Sequence, residues 1–229
     1  MMEAIVLAGG LGTRLRQTVP DLPKPMAPIA GRPFLEILLS MLAGKRFARV
    51  VISLGYMSEK IISHFGASYR GMELVYEIDP LPLGTGGAIR AALARCTADH
   101  AFVFNGDTYI DLDTEALERY WQIKKNPLIV VRKVKETARF GCVELRDGRV
   151  TAFLEKGRDG CGLINAGCYV LPTDALDEFP MGKPFSIESD YFVRNAQSIR
   201  FDGFVYSGRF IDIGVPDDYA LAQSELAGL

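Results

Sequence analysis

An apolar strand that runs directly into a glycine-rich turn is the feature of this chain that most restricts its fold. Residues 5–15 read IVLAGGLGTRL: a predicted buried strand ends near Leu7, and the turn after it contains Gly9, Gly10 and Gly12. Glycine lets the backbone turn tightly, and such a turn can present its N–H groups to an anion. The sequence therefore predicts a strand that ends at a phosphate-binding loop.

Two basic residues near these glycines are suited to the same anion. The run ends in Thr13 and Arg14, and Lys24 follows between Pro23 and Pro25. A guanidinium can hold two phosphate oxygens at once, whereas an ammonium acts as a compact point charge. The prolines restrict the backbone on both sides of the lysine. The position of this lysine is thus partly set before any ligand arrives.

Two common phosphate-binding motifs are absent from this loop. The chain has no G-x-x-x-x-G-K-[ST] element, and Leu15 stands where a dinucleotide-binding fold has its third glycine. A P-loop ATPase and a nicotinamide-dependent dehydrogenase are therefore disfavoured. For the Gly-x-Gly element taken by itself, a purely structural strand-to-helix turn is the alternative.

The whole segment resembles the signature of the sugar-1-phosphate nucleotidyltransferases. The matching elements are G-G-x-G-T-R-L at 9–15, P-K-P at 23–25 and G-x-P at 31–33. Within that family the chain is similar to the bacterial D-glycero-α-D-manno-heptose-1-phosphate guanylyltransferases, which make GDP-heptose for surface polysaccharide. The resemblance implies GTP and heptose 1-phosphate as substrates. Mannose or glucose 1-phosphate with GTP, CTP, UTP or dTTP is the alternative within the family.

Short apolar runs alternate with amphipathic stretches in the first half of the chain, which predicts strand–helix–strand units. Strands are predicted at 48–54 and 101–105, with a further strand ending near residue 77. Helices are predicted at 33–45, 87–95 and about 216–226. Later strands are predicted at 141–145, 150–155 and 163–171.

The expected fold class is α/β: a single-domain, Rossmann-like three-layer sandwich with a mostly parallel central sheet and a small β-rich acceptor-binding region. A chain of 229 residues with 48% apolar content can bury one substantial core. We expect one nucleotidyltransferase domain over 1–229. Its NTP-binding half would span about 1–110, and its sugar-phosphate-binding part about 130–215.

Composition excludes several other classes of function. The formal net charge is −2, from 26 basic and 28 acidic residues, so no nucleic-acid partner is expected. The chain has no apolar run of about 20 residues and no basic leader, which predicts no membrane association and a cytoplasmic location. Four cysteines without C-x-x-C spacing and two histidines make zinc unlikely to bind and predict free thiols.

Two aspartates are candidate metal ligands. Asp107 ends the apolar strand before it, at the edge where parallel strands deliver ligand-binding groups. Asp212 lies between apolar neighbours in F-I-D-I-G, which resembles the family's D-I-G-x-P element and its second metal ligand. Carboxylates and phosphate oxygens are the ligands that Mg²⁺ prefers. The alternative for Asp107 is a turn residue that caps the next helix.

Further segments resemble the nucleotide and sugar contacts of the family. Gly84, Thr85 and Gly86 match a loop that lies against the nucleobase, where absent side chains let a flat ring approach, and Glu77 precedes it as a possible contact. Sugar-phosphate binding is implied for the following residues: Gly106, Gly141 next to Phe140, Glu155, Lys156 and Asn165. Taken singly, Glu155 and Lys156 also fit an exposed strand-end charge pair.

The implied reaction is attack by the sugar 1-phosphate on the α-phosphorus of the triphosphate. Arg14 and Lys24 are the candidate catalytic residues. The candidate nucleotide-binding residues are Leu7, Gly9, Gly10, Gly12, Thr13, Glu77, Gly84, Thr85 and Gly86. A non-catalytic regulatory subunit that binds nucleotide sugars is the alternative from another class. The family also implies a possible homo-oligomer.

Overall fold

The computed structural model describes residues 1–10, 12, 15, 19–137, 141–154 and 160–229. The early strands are β1 (Met2–Leu7), β2 (Pro28–Ile29), β3 (Arg32–Pro33), β4 (Phe47–Leu54), β5 (Ser68–Tyr69), β6 (Met72–Ile78), β7 (His100–Asn105) and β8 (Thr108–Ile110). The later strands are β9 (Leu128–Val134), β10 (Cys142–Arg146), β11 (Arg149–Leu154), β12 (Gly162–Pro172), β13 (Asp202–Tyr206) and β14 (Phe210–Asp212). The helices are α1 (Phe34–Gly44), α2 (Ser58–Phe65), α3 (Gly84–Leu93), α4 (Thr114–Lys124) and α5 (Pro216–Glu225), with a 3₁₀ turn at Lys24–Met26 and a π-helix at Ile187–Val193.

Ten of these strands form one mixed sheet in the order β10-β11-β13-β9-β12-β7-β1-β4-β6-β5. Strand β1 runs parallel to β4 and β7, and β4 runs parallel to β6. The carboxyl ends of these four strands therefore meet at one edge. Beyond β7, most pairings are antiparallel, because hairpins replace the crossover helices of the first half. The α/β class is confirmed, and the parallel pairings join β7, β1, β4 and β6 to one another and β13 to β9.

The core lies on both faces of this sheet, which makes three layers. Alternate residues of each strand face opposite sides. Val6 and Ile52 pack with the buried faces of α1, α2, α4 and α5. Ile5 and Val51 pack with α3 and the π-helix on the other side. Within the described residues, no helix has the length and apolar character that crossing a membrane requires.

Most predicted elements occur within one or two residues of their predicted ends. The elements that were not predicted are helices α2 and α4, the π-helix, and strands β2, β3, β5, β8, β9, β13 and β14. The loop predicted at 84–86 is wrong, since these residues lie in the first turn of α3, which begins three residues before its predicted start. This turn is stabilised by the carbonyl oxygen of Phe185, which accepts a hydrogen bond from the Gly86 N–H at 2.9 Å. A partner about a hundred residues away in the sequence thus starts the helix.

One buried carboxylate ties the start of the central strand to the connection between α3 and β7. Glu3 accepts hydrogen bonds from the N–H groups of Thr97 at 2.8 Å and Ala98 at 3.1 Å, and also from the Thr97 hydroxyl. Burial acts to raise the pKa of Glu3, but these hydrogen bonds outweigh it and hold the pKa below its ordinary value. The ionised form is therefore the one that the fold stabilises.

We expect Glu3→Gln to lower the free energy of unfolding by about 1–3 kcal/mol at neutral pH, because the amide can accept fewer of these hydrogen bonds. A lowered pKa stabilises the fold above the unfolded value of about 4.3, and that contribution is lost as the pH falls through the folded-state value. Urea unfolding from pH 3 to pH 7 should show a weaker acid dependence in the variant. Glu73→Gln, on the exposed part of β6, is the matched control and should change stability by less than about 0.5 kcal/mol. Equal effects of the two variants would contradict this account.

Candidate active site

A cavity of 690 Å³ opens at the carboxyl edge of the four parallel strands. Its lining comes from the ends of β1, β4, β6 and β7 and the segments that follow them: residues 7–10, 53–56, 78–85 and 105–107, with Lys24, Pro25 and Ala88. Ligands of open α/β sheets bind at this position. The cavity therefore lies where the glycine-rich turn and the strand end at Asp107 were expected to meet.

Close backbone contacts between glycines form the inner wall of the cavity. The Gly106 N–H donates to the Leu7 carbonyl oxygen at 2.9 Å, and a Cβ at Gly106 would lie 2.5 Å from that oxygen. A Cβ at Gly55 would lie 2.9 Å from the carbonyl oxygen of Gly9. Neither position has room for a side chain without a backbone shift. These glycines let the ends of three neighbouring strands approach one another.

The predicted anion-binding loop is described in part. Gly9 and Gly10 line the cavity, and no atom lies within 4 Å of a Cβ built on Gly10. Gly12 has a φ of +59° and packs against the Lys24 side chain, so this glycine helps to position the lysine. The predictions for Thr13 and Arg14 fall outside the described residues.

Lys24 and the two predicted metal-ligand aspartates come together at one end of the cavity. Strand β14 pairs antiparallel with β8, and the Ile213 N–H donates to the Asp107 carbonyl oxygen at 2.9 Å. This short ladder sets Asp212 beside Asp107. The ammonium of Lys24 forms an ion pair with the carboxylate of Asp107. Burial and the nearby charge of Asp107 raise the pKa of Asp212, while Lys24 and the Gly214 N–H act to lower it.

This donor set suits a divalent cation. The charge of Asp107 disfavours ionisation of Asp212, and a bound cation would relieve that repulsion. Among the described residues, no group of three or more histidine, cysteine or acidic side chains could hold a metal ion. A metal here would thus take the rest of its ligands from phosphate and water, as Mg²⁺ commonly does at a nucleotide.

The segment after β6 places a different acidic residue in the cavity from the one that was predicted. The Glu77 carboxylate lies 3.5 Å from the Arg95 guanidinium, and Glu77 does not belong to the described lining. Asp79 does line the cavity, and its N–H donates to the Leu54 carbonyl oxygen at 2.9 Å. Sequence analysis missed Asp79. The available signal was an aspartate at a strand end directly before Pro80, where the backbone is restricted.

The aromatic ring of Phe185 lies against the predicted nucleobase loop. A Cβ on Gly86 would lie 2.2 Å from the Phe185 ring, and that ring stacks on Phe179 with centroids 4.0 Å apart. The flat ring that approaches Gly86 therefore belongs to this chain. Gly84 and Thr85 line the cavity. The Thr85 hydroxyl donates to the Glu188 carboxylate at 2.8 Å, which links the loop to the π-helix.

Of the predicted sugar-phosphate residues, Asn165 lies on β12, the strand next to β7, and Gly141 directly precedes β10. The Asn165 N–H donates to the Gly141 carbonyl oxygen at 3.2 Å, and the Asn165 side chain bonds to Tyr169 and to the Gly167 N–H, each at 2.9 Å. A Cβ on Gly167 would lie 2.2 Å from the side chain of Asn105, which lines the cavity. This irregular part of β12 thus abuts the cavity wall. The predictions for Phe140, Glu155 and Lys156 fall outside the described residues.

Comparison with known proteins identifies the group to which this site belongs. A family model described as nucleotidyl transferase matches residues 3–227. The chain belongs to the nucleotidyl transferase family. The resemblance seen in the glycine-rich segment is thereby confirmed, and this nucleotidyltransferase is an enzyme of that class.

Individual relatives cover the chain almost completely. The D-glycero-α-D-manno-heptose 1-phosphate guanylyltransferase of Aneurinibacillus thermoaerophilus is 42% identical over 226 residues, which cover 98% of each chain. The mannose-1-phosphate guanylyltransferase of Mycobacterium tuberculosis is 35% identical and covers 98% of this chain and 64% of the relative. The crystal structure of HddC from Yersinia pseudotuberculosis complexed with GMP-PN matches this nucleotidyltransferase with a TM-score of 0.87 at 36% identity. That match covers 99% of this chain and 100% of HddC.

We expect Gly106→Ala to lower the free energy of unfolding by about 1–3 kcal/mol, because its Cβ meets a backbone oxygen that cannot move aside alone. Gly10→Ala is the matched control at the same cavity, since its Cβ has open space. That variant should unfold like the wild type or be slightly more stable. Urea unfolding without nucleotide measures both. A Gly106→Ala protein as stable as Gly10→Ala would show that the strand ends are not closely held.

Proposed function

We propose that this enzyme transfers a guanylyl group from GTP to D-glycero-α-D-manno-heptose 1-phosphate and releases pyrophosphate. The product is GDP-heptose, an activated donor for surface polysaccharide. The observation that carries the proposal is the cluster of Lys24, Asp107 and Asp212 at one end of a nucleotide-sized cavity. The relative from A. thermoaerophilus supports the choice of base and sugar.

The chemistry requires no protein nucleophile. A phosphate monoester has a second pKa of about 6, so the attacking oxygen of the sugar phosphate is largely ionised at neutral pH. That oxygen forms a bond to the α-phosphorus, and the bond from the α-phosphorus to the bridging oxygen breaks. Pyrophosphate leaves with the electron pair. The difficulty is to bring two anions together, so positioning and electrostatics must supply the rate.

The residues of the cavity match these two tasks. We assign Lys24 to the α-phosphate, because its positive charge is held beside the strand end that carries Asp107. The N–H groups of the glycine turn, with Thr13 and Arg14, are assigned to the β- and γ-phosphates. Asp107 and Asp212 would hold Mg²⁺, which when bound supplies positive charge between the two reacting phosphates.

The two parts of the chain are assigned separate substrates. Residues 1–110 would bind the nucleotide, and residues from about 130 to 215 would bind the sugar phosphate. Gly106, Gly141, Glu155, Lys156 and Asn165 are assigned to the sugar phosphate. A cytoplasmic location and a homo-oligomer belong to the same proposal. The relative from M. tuberculosis makes mannose 1-phosphate the alternative acceptor.

Replacing Lys24 should lower the turnover rate far more than it weakens GTP binding. We expect Lys24→Ala to lower kcat by roughly 100-fold or more while the Kd for GTP changes only a few-fold, because the lysine acts mainly on charge that develops during reaction. Pyrophosphate release and calorimetric titration measure the two quantities. Lys45→Ala, which removes a partly exposed ion pair with Asp111, is the control and should change neither. Near-normal turnover by Lys24→Ala would remove this lysine from the mechanism.

Substrate profiling tests the proposed reaction directly. Pyrophosphate release is measured with each of GTP, ATP, CTP, UTP and dTTP against heptose, mannose and glucose 1-phosphates. We expect the highest kcat/KM for GTP with the heptose, and loss of activity when EDTA removes Mg²⁺. A different preferred pair would overturn the substrate assignment. Full activity in EDTA would overturn the role given to the two aspartates.

A further inference from the structure

The side-chain amide of Asn165 is held at both of its polar atoms by two different partners. Its Oδ1 accepts a hydrogen bond from the Gly167 N–H at 2.9 Å, and its Nδ2 donates to the Tyr169 hydroxyl at 2.9 Å. A backbone N–H can only donate, so the amide oxygen lies on the Gly167 side and the nitrogen on the Tyr169 side. These two contacts therefore fix the orientation of the amide.

A break in strand β12 brings both partners within reach of the asparagine. The strand pairs regularly with β9 as far as Asn165, and the pairing resumes at Tyr169. Between them, Gly167 has a φ of +68°, a conformation that favours glycine. A Cβ there would lie 2.2 Å from the side chain of Asn105, which lines the cavity. The irregular segment thus returns a tyrosine to the asparagine beside the cavity wall.

Tyr169 is suited to hold another side chain because it is itself closely packed. Its exposed fraction is 1%, and its ring packs against Phe192 with centroids 5.0 Å apart. Burial raises the pKa of Tyr169, and the nearby carboxylate of Glu188 acts in the same direction. The phenol is therefore neutral at physiological pH, and its oxygen accepts the hydrogen bond from the amide.

Asn165 is the more accessible member of this pair. It is half-buried, and its own N–H donates to the carbonyl oxygen of Gly141 at 3.2 Å. A primary amide nitrogen carries two N–H donors, and Tyr169 accepts from one of them. Because Oδ1 is bonded to Gly167, the second N–H is the group that suits an acceptor oxygen of a ligand. Phosphates and sugar hydroxyls supply such oxygens.

We propose that Tyr169 is a positioning residue for the sugar 1-phosphate: by binding Nδ2 it directs the second amide N–H of Asn165 to an oxygen of that substrate. The inference rests on the proposed function, which assigns Asn165 to the sugar phosphate. Tyr169 itself does not touch the substrate in this assignment. It acts only through the orientation of the asparagine amide.

The first test removes the tyrosine hydroxyl and keeps its ring. We expect Tyr169→Phe to raise the KM for the sugar 1-phosphate roughly 10-fold, because the amide can then rotate, while kcat and the Kd for GTP change less than about twofold. Tyr191→Phe is the matched control, since Tyr191 also packs against Phe192, and it should leave this KM unchanged. An unchanged KM in Tyr169→Phe would assign the hydroxyl to the fold alone and overturn the proposal.

A double-mutant cycle shows whether the tyrosine acts through the asparagine. Asn165→Ala removes the donor itself, so we expect it to raise the KM for the sugar 1-phosphate at least as far as Tyr169→Phe does. Adding Tyr169→Phe to Asn165→Ala should then have no further effect on this KM. A further rise of about 10-fold in the double variant would show that the tyrosine acts by another route, against the proposal.

Asn165→Ala also keeps the proposal testable if Tyr169→Phe does not fold. An unchanged KM for the sugar 1-phosphate in Asn165→Ala would leave the tyrosine nothing to position, and the inference would be wrong. Failure of the proposed function is a different result. In that case the wild type itself would release no pyrophosphate with any sugar 1-phosphate in the profiling experiment, or would prefer another pair of substrates.

Discussion

The contact between the Gly106 N–H and the Leu7 carbonyl oxygen is the constraint on which the rest of the site depends. It joins the residue after β7 to the last residue of β1, and the backbones of Gly9 and Gly55 lie close together after the ends of β1 and β4. The glycine turn and Asp107 are thereby brought to one wall. A side chain at any of these positions would separate the groups that we assign to neighbouring phosphates. Glycine is needed here for close approach as much as for turning.

Charge is distributed along the cavity in a way that fits the two substrates. Lys24 lies among carboxylates, so the fold holds a cation and two anions at one end before any substrate binds. The other end carries Asp79 among apolar side chains. The first arrangement suits phosphates with a metal ion, and the second suits a neutral ring with hydrogen-bond donors. The two ends of the cavity thus differ in polarity.

Sequence analysis succeeded where the signal is local and failed where it depends on distant contacts. The turn at Gly9 and the strand end at Asp107 follow from glycine conformation and from the strand pattern, and both line the cavity. The approach of Asp212 to Asp107 depends on the β8–β14 ladder, which only the family resemblance anticipated. The choice of Asp79 over Glu77 depends on which way each side chain turns at a strand end. Glu77 pairs with Arg95, and the backbone of Asp79 is bonded to Leu54, and both partners are distant in sequence.

The Phe185 ring over Gly86 has a consequence for how this fold can be divided. The first turn of α3 borders the nucleotide side of the cavity, yet the later part of the chain closes it through the Phe185 carbonyl oxygen, the Phe185 ring and Glu188. The boundary proposed near residue 110 therefore does not separate two independent structural modules. A chimera that imported residues 1–110 from a relative would separate α3 from the segment that shapes its first turn. An exchange of this part between such enzymes would need to include residues 183–188 as well.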